Sequence, residues 1–148
     1  MKRGKMVFLC LAALMLLLGL LNSDGSRQLR TELVFRLQQQ RFEEAAESML
    51  DFSSYKNIPG VGHINVWPCQ SRSGERIVQF SMGGWGLGSG TGYVGVYTTT
   101  DGEPADFEGA DVKLSPKGDG FFWQEKHGDN TYYTEEIVPG WFYYLATF

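Results

Sequence analysis

The residues of this chain that could carry covalent chemistry are few. Cys69 lies outside the N-terminal apolar segment, Met6–Leu21, and it could form a thiol–imidazole pair with His63 or His127. A nucleophilic thiol of this kind needs the imidazole within hydrogen-bond reach, together with a third group that orients the ring. A chain with one such cysteine and two histidines contains these residue types by chance, so their presence alone does not indicate a catalytic site. We therefore assign no catalytic residue, and keep a Cys/His-dependent hydrolase as the alternative to a non-enzymatic protein.

Other catalytic and metal-binding motifs fail on their spacing. The sequence from Ser53 to Lys56 matches S-x-x-K, but the partner motifs S-D-N and K-T-G are absent. Five acidic residues fall between Asp101 and Asp111 without the register of a calcium loop, and their ordinary role is a solvated surface loop. We predict no metal site and no other cofactor.

Glycines recur at every second position from Gly84 to Gly92. This spacing lacks the G-x-G-x-x-G and G-K-[ST] patterns of phosphate-binding loops. If the stretch is one extended strand, its glycines share one face and Trp85 lies on the other. Such a bare face could admit an aromatic ring, or it could form a flat binding groove. We favour the structural or flexible-loop interpretation, because glycine punctuates loops more often than it builds sites.

Aromatic residues give the best indication of a binding surface, and most of them lie in the second half of the chain. Exposed rings on a sheet can stack on sugars or hold a peptide. Strands alternate, so about half of the rings must point into the core instead. Our candidate binding residues for a protein or carbohydrate ligand are Trp85, Tyr93, Trp123 and Tyr133.

Charge argues against nucleic acid as a partner. Lys2, Arg3 and Lys5 precede the apolar run, while all seventeen acidic residues follow it. From Met6 onward, ten basic residues oppose seventeen acidic ones, a formal charge of −7. Binding to a phosphate backbone needs dense lysine and arginine contacts. The remainder of the chain does not have them.

The segment from Met6 to Leu21 contains no charge and no proline, and it predicts a hydrophobic helix that associates with a membrane. As a helix its sixteen residues would extend about 24 Å, somewhat short of a bilayer core. The alternative is a cleaved signal peptide and a secreted product. A retained signal-anchor is favoured, because no Ala-x-Ala cleavage pattern follows the run.

Positive charge flanking the run sets its predicted orientation. The cluster Lys2, Arg3 and Lys5 is tighter than the spaced arginines that follow, which places the N-terminus in the cytoplasm. We expect a single-pass membrane protein with residues 1–22 as the anchor and 23–27 as a short linker. Residues 28–148 would then form one domain outside the cytoplasm.

The predicted fold of that domain is α+β, with one amphipathic helix over residues 28–52 and a sheet over 62–148. Leu29, Leu33 and Leu37 recur at helical spacing, and Phe42 continues an apolar face that we expect to pack on the sheet. After Gly60 the period changes to two, which is typical of strands. Short connections predict an antiparallel meander of five to seven strands, including a short edge strand over Ala110–Leu114.

The last predicted strand, Trp141–Phe148, is aromatic on both faces and is therefore expected at the centre of the sheet. Taken together, the sequence predicts a membrane-tethered binding or interaction module without enzymatic activity.

Overall fold

The structure is a computed structural model that describes residues 23–51, 53–87 and 90–148. The predicted anchor, Met6–Leu21, lies outside these residues. The elements in chain order are helix α1 (Asp24–Leu50), strands β1 (His63–Pro68), β2 (Arg76–Leu87) and β3 (Gly90–Thr99), a single 3-10 turn (Phe107–Gly109), and strands β4 (Ser115–Lys117), β5 (Gly120–Gln124), β6 (Thr131–Val138) and β7 (Trp141–Thr147). In the described part of the chain, no helix has both the length and the hydropathy that crossing a membrane requires.

The chain divides into two compact units, residues 1–30 and residues 31–148. Only residues 23–30 of the first unit are described, and those from Asp24 onward form the start of α1. All seven described strands and the cavity presented below belong to the second unit.

The seven strands form one sheet in the order β1-β2-β3-β7-β6-β5-β4, and every neighbouring pair is antiparallel. This confirms the predicted α+β class with one helix packed on an antiparallel sheet. Strand β7 is the fourth of the seven, so its position at the centre is also as predicted. Its side chains alternate between two buried faces: Trp141 and Tyr143 point to one, and Phe142 and Tyr144 to the other.

One face of the sheet packs against the helix through aromatic rings, and we call it the helix face. Phe42 is fully buried, and its ring centroid lies 5.3 Å from Phe35, 4.9 Å from Phe80 and 6.2 Å from Trp141. Pairs at these separations contribute about 0.5–1.5 kcal/mol each beyond the burial of their area. The helix is therefore fixed to β2 and β7 by a continuous aromatic contact.

The first half of α1 differs from the prediction. Leu33 and Leu37 are 57% and 75% exposed, and Leu29, in the first unit, is exposed as well. The helical spacing of these leucines was correct, but the side chains of Leu33 and Leu37 do not face the sheet. The helix is interrupted at Gln38, whose φ of −130° and ψ of 17° are not helical. The buried face before this break contains Phe35, and the face after it contains Phe42.

The second face of the sheet, which we call the cavity face, is covered by irregular chain. Strand β3 is third in the sheet, whereas β4 lies at the far edge, so residues 100–114 must cross to reach it. We call this segment the connection. The edge strand predicted over Ala110–Leu114 is wrong, because these residues have no strand structure and β4 begins only at Ser115.

Candidate functional site

A cavity of about 910 Å³ opens on the cavity face, between the sheet and the connection. Drug-sized ligands occupy clefts of about 300–1,000 Å³. Its lining residues come from five strands, from the connection and from the chain after β1 and β7; they include the aromatic residues Trp67, Tyr93, Phe107, Trp123, Tyr132 and Phe148. Polar groups are fewer and are supplied mainly by His63, Gln70, Gln79, Ser81, Thr91 and Glu108.

The alternation of side chains along β1 and β2 places several polar residues at the cavity. His63 on β1 pairs with Ser81 on β2 in the antiparallel register, so both side chains point to the cavity. Gln79 lies two residues before Ser81 and shares its face. The helix face instead receives the side chains of Phe80, which lies between Gln79 and Ser81, and of Val78, which precedes Gln79.

The glycine-rich stretch forms the hairpin between β2 and β3 rather than one extended strand. The glycines of this stretch that the structure describes therefore lie on both faces, and the single bare face of the less favoured alternative is not formed. In the hairpin register each glycine lies opposite a side chain of the partner strand: Gly84 opposite Tyr93, Gly92 opposite Trp85, and Gly86 opposite Thr91. The Trp85 ring covers Gly92 so closely that a Cβ there would overlap it. On the cavity face, Gly84 and Gly86 leave Tyr93 and Thr91 without a side chain opposite them on β2.

The floor of the cavity contains a buried hydrogen-bonded group around Tyr144. The Gln79 amide donates to Tyr144 Oη at 3.1 Å, and Ser81 Oγ lies 3.4 Å from the same oxygen. Gln79 and Ser81 are only 4% and 8% exposed. Gly95 lies opposite both Ser81 and Tyr144, and a Cβ there would come within 2.8 Å of the Tyr144 ring and overlap the Phe80 carbonyl oxygen. Only glycine leaves the tyrosine room to lie flat on β3.

Two tyrosines hold the middle of the connection against the sheet. The Ala105 carbonyl accepts hydrogen bonds from Tyr97 at 2.9 Å and from Tyr132 at 3.0 Å, and the Ala105 amide donates to Tyr97 Oη at 3.0 Å. Burial raises the pKa of Tyr97 to about 12 and also raises the pKa of Tyr132. Both phenols therefore stay protonated at neutral pH and act as donors that position the chain.

The start of the connection is held by an arginine outside the sheet. Arg72 forms an ion pair with Asp101, and its guanidinium also donates to the carbonyls of Pro104 at 3.0 Å and Glu103 at 3.3 Å. Burial opposes ionisation of Asp101, but hydrogen bonds from Arg72, the Glu103 amide and Thr99, together with the charge of Arg72, outweigh it and lower the pKa of the carboxyl. One side chain thereby binds three residues of the connection.

Beyond Ala105 the connection turns over the cavity. The Phe107 ring lies 5.9 Å from Tyr93, 5.8 Å from Tyr144 and 5.1 Å from Phe148. Glu108 follows with a φ of +54°, and it is the one residue other than glycine with positive φ in the described part of the chain. This conformation costs a side-chain-bearing residue of order 1 kcal/mol or more, and such strain is concentrated at functional sites.

Two buried polar atoms lack a hydrogen-bond partner among the described residues: Trp67 Nε1, which belongs to the cavity lining, and Asp106 Oδ1. The other Asp106 oxygen accepts from the Val112 amide at 3.0 Å, and burial raises the pKa of this carboxyl. Leaving a buried donor unsatisfied costs about 1–3 kcal/mol. The Trp67 indole N–H is therefore a buried donor without a partner at a residue that lines the cavity.

The sequence-predicted binding residues are divided between the two faces. Tyr93 and Trp123 line the cavity. Trp85 and Tyr133 pack against the cluster on the helix face, and Tyr133 donates a hydrogen bond to Glu135 at 2.5 Å. The four residues therefore do not form one surface.

Cys69 is 4% exposed, and its thiol lies 3.3 Å from Ser71 Oγ. Neither His63 nor His127 forms a hydrogen bond with it among the described residues. His63 lines the cavity, whereas Cys69 packs in the apolar cluster of the cavity face. This geometry gives no support to a thiol–imidazole pair.

Residues 23–51, 53–87 and 90–148 contain no group of three His, Cys, Asp or Glu side chains that could hold a metal ion.

Sequence reasoning missed most of the polar lining, above all Gln79, Ser81 and Glu108. The sequence does contain a pattern that could have indicated Gln79 and Ser81. Together with Ile77 they occupy alternate positions, so they share the face opposite to Val78 and Phe80. A polar face of this kind is normally assigned to solvent. Here the connection covers it, and nothing in the strand itself indicates that cover.

Comparisons with known proteins give no match: no family model matches the chain, and neither a curated protein nor a solved structure matches it significantly.

Proposed function

We propose that this protein is a non-enzymatic binding module, tethered to a membrane by Met6–Leu21, that holds a small and mainly apolar molecule in the cavity. The domain that carries the cavity would lie outside the cytoplasm. The observation that supports binding most directly is an aromatic-lined cavity of about 910 Å³ beside buried polar groups. Sites for small molecules combine an apolar lining with a few placed polar groups.

The position of the polar groups indicates how such a ligand is oriented. Trp67 offers a buried indole N–H without a partner, so the ligand carries a hydrogen-bond acceptor. The group of Gln79, Ser81 and Tyr144 is already bonded internally and forms a rigid floor. Flat aromatic walls suit a planar or aromatic body, because rings prefer offset or edge-to-face contacts.

The direct test is the binding of an uncharged probe of this shape, 4-neopentylacetophenone. The full-length chain is reconstituted in nanodiscs of an uncharged glycolipid, and binding is measured by equilibrium dialysis against empty nanodiscs. A probe of about fourteen non-hydrogen atoms at about 0.3 kcal/mol each gives a Kd of about 1 mM or below. Saturable binding in that range is the expected result.

Cavity-filling variants identify where the probe binds. Ala110→Trp places a large ring in the lining, and its neighbour Asp111→Trp, an exposed residue outside the lining, is the matched control. We expect Ala110→Trp to weaken binding at least tenfold and Asp111→Trp to leave it within twofold. Gln70→Trp at the exposed rim repeats the test if Ala110→Trp unfolds the domain. Unchanged binding in both filling variants, or no saturable binding to the parent chain, would contradict the proposal.

The tether has its own test. Fractionation of cells with N-terminal sequencing of the recovered protein should give intact Met1 in the membrane fraction. Recovery from the medium of a chain that begins near Ser26 would instead establish a cleaved signal peptide and a secreted protein.

A further inference from the structure

The charged groups of the cavity are unevenly distributed. Glu108 is the one acidic residue of the lining, and the lining contains no lysine or arginine. His63 is its other ionisable group besides two tyrosines. The ion pairs of the described residues do not include Glu108, so no cation of this chain is bound to its carboxylate there.

The backbone places Glu108 in the lining of the cavity. Glu108 adopts its positive φ between the Phe107 ring, which packs on Tyr93 and Tyr144, and Gly109, whose position against the Pro68 carbonyl leaves no space for a Cβ. The Gly109 carbonyl accepts a hydrogen bond from the Gln70 backbone amide at 3.1 Å, which joins this point of the connection to the chain just after β1. Both neighbours of Glu108 are therefore held, and these contacts fix where its backbone lies.

The aromatic rings of the lining also favour positive charge in the cavity. The faces of tryptophan, tyrosine and phenylalanine carry negative electrostatic potential and attract cations. Trp67, Tyr93 and Trp123 all lie in the lining of the same cavity. The charge of the chain after the anchor, ten basic against seventeen acidic residues, raises the local concentration of cations and lowers that of anions.

From these observations we infer that the ligand of the cavity is an organic cation, with an aromatic or aliphatic body among the rings and an ammonium group paired with Glu108. This inference rests on the proposed function, because it names the class of molecule that the same cavity binds. An anionic ligand would meet an unpaired carboxylate and no cation of the lining. Glu108 is exposed, so it can bind the ammonium without losing all of its own hydration.

The test compares two probes of the same shape, (4-acetylbenzyl)trimethylammonium and 4-neopentylacetophenone. They differ in one atom, a quaternary nitrogen in place of a quaternary carbon, and both carry the carbonyl acceptor for Trp67. Binding is measured at low salt on the full-length chain in the same glycolipid nanodiscs, which contain no ammonium headgroup. We expect the cation to bind about 5- to 30-fold more tightly than the uncharged probe.

The carboxylate is tested by Glu108→Gln, with Glu103→Gln as the matched control. Both residues are exposed and lie on the connection, but only Glu108 lines the cavity. Glu108→Gln should weaken binding of the cation about two- to fivefold and leave the uncharged probe unchanged. Glu103→Gln should change neither. Raising the salt concentration should reduce the advantage of the cation in the parent chain and have little effect in Glu108→Gln.

The outcomes separate this inference from the function on which it rests. Equal binding of the two probes, or an equal loss for both in Glu108→Gln, overturns the inference and leaves a cavity that binds uncharged ligands. Saturable binding of neither probe overturns the proposed function itself. A loss in Glu103→Gln as large as in Glu108→Gln would show a general effect of charge and would also overturn the inference.

Discussion

The two faces of the sheet bury aromatic residues in different ways. On the helix face, Phe35, Phe42, Phe80 and Trp141 pack ring against ring without polar atoms between the phenylalanines. On the cavity face, the central rings are mostly tyrosines, and their hydroxyls bond to Gln79, Thr134 and the Ala105 backbone. A regular helix covers the first face, and an irregular connection with a cavity beneath it covers the second.

From this difference we expect the helix face to contribute mainly to stability and the cavity face to ligand binding. Closely packed apolar rings contribute to the free energy of unfolding but leave no room for a ligand. A face held by a few directional hydrogen bonds tolerates a cavity, because each bond fixes one point and leaves the space between points open. Four changes to the chain test this division, in order of decreasing expected effect.

The largest effect is expected from Phe42→Ala on the helix face. Phe42 is fully buried against three aromatic rings, so truncation should lower the free energy of unfolding by about 3–5 kcal/mol. Denaturant titration of the full-length chain measures this loss. Leu33→Ala, on an exposed side chain of the same helix, is the control and should change stability by about 0.5 kcal/mol or less. Probe affinity of the folded fraction should remain near that of the parent chain. A large loss of affinity would contradict the division.

Gly95→Ala acts on the opposite face. The added methyl group would overlap the Phe80 carbonyl and approach the Tyr144 ring, so backbone must move. We expect a loss of stability of about 3 kcal/mol and, unlike Phe42→Ala, at least a tenfold loss of probe affinity in the folded fraction. Gly90→Ala is the matched control in the same strand, because a Cβ at Gly90 meets no atom of the described residues within 4 Å. Stability near that of Gly90→Ala would show that the floor of the cavity is not rigid.

Alkaline pH should weaken the cavity face through its buried phenols. Burial raises the pKa of Tyr97 from 10.0 to about 12. Below pH 10 the folded and unfolded chains both keep this proton. Between pH 10 and pH 12 the unfolded chain loses it while the folded chain does not, so the free energy of unfolding falls by about 1.4 kcal/mol per pH unit. Denaturant titrations across this range measure the slope.

The same titrations on Tyr97→Phe should give a shallower slope above pH 10. Tyr55→Phe, on an exposed tyrosine, should leave the slope of the parent chain unchanged. Equal slopes in all three chains would contradict the assignment of the effect to Tyr97.

The smallest effect on stability is expected from Arg72→Met. The ion pair with Asp101 is partly exposed, so its loss should cost about 1 kcal/mol or less. Because the same guanidinium holds the start of the connection, probe affinity should fall about two- to fivefold. Arg36→Met is the counterpart on the helix face, where Arg36 donates to the Ile137 carbonyl at 2.9 Å. That variant should lose comparable stability with no change in affinity. Equal losses of affinity would show that the two faces are coupled.

The sequence predicted the sheet better than the helix. Turn residues and short connections indicate antiparallel strands directly, and aromatic residues on both faces of Trp141–Thr147 indicate a central strand. The leucine spacing in α1 gave the period of the helix but not the side that faces the sheet. Phe35 and Phe42 define that side, and the break at Gln38 changes the phase between them. A uniform helical period cannot represent such a break.

The sequence predicted only some of the residues that line the cavity. The face on which a side chain lies depends on the exact alternation along its strand. Unbroken alternation would place Trp85 on the face of Ser81. A bulge between Ser81 and Gly83 adds one residue to β2, which turns Trp85 to the helix face. Tyr133 differs from its cavity-lining neighbour Tyr132 by a single residue in the same alternation. Glu108 belongs to a connection without any period, so no pattern in the sequence places it at the cavity.

The position of β7 has a consequence for synthesis of the chain on the ribosome. Strand β7 follows all the other strands in chain order, yet it pairs with both β3 and β6 at the centre of the sheet. While residues 141–147 are still inside the exit tunnel, the edges of β3 and β6 are therefore open in addition to those of the edge strands β1 and β4. Open edges pair readily with other chains. The interval before β7 emerges is the stage at which this protein most needs protection from aggregation.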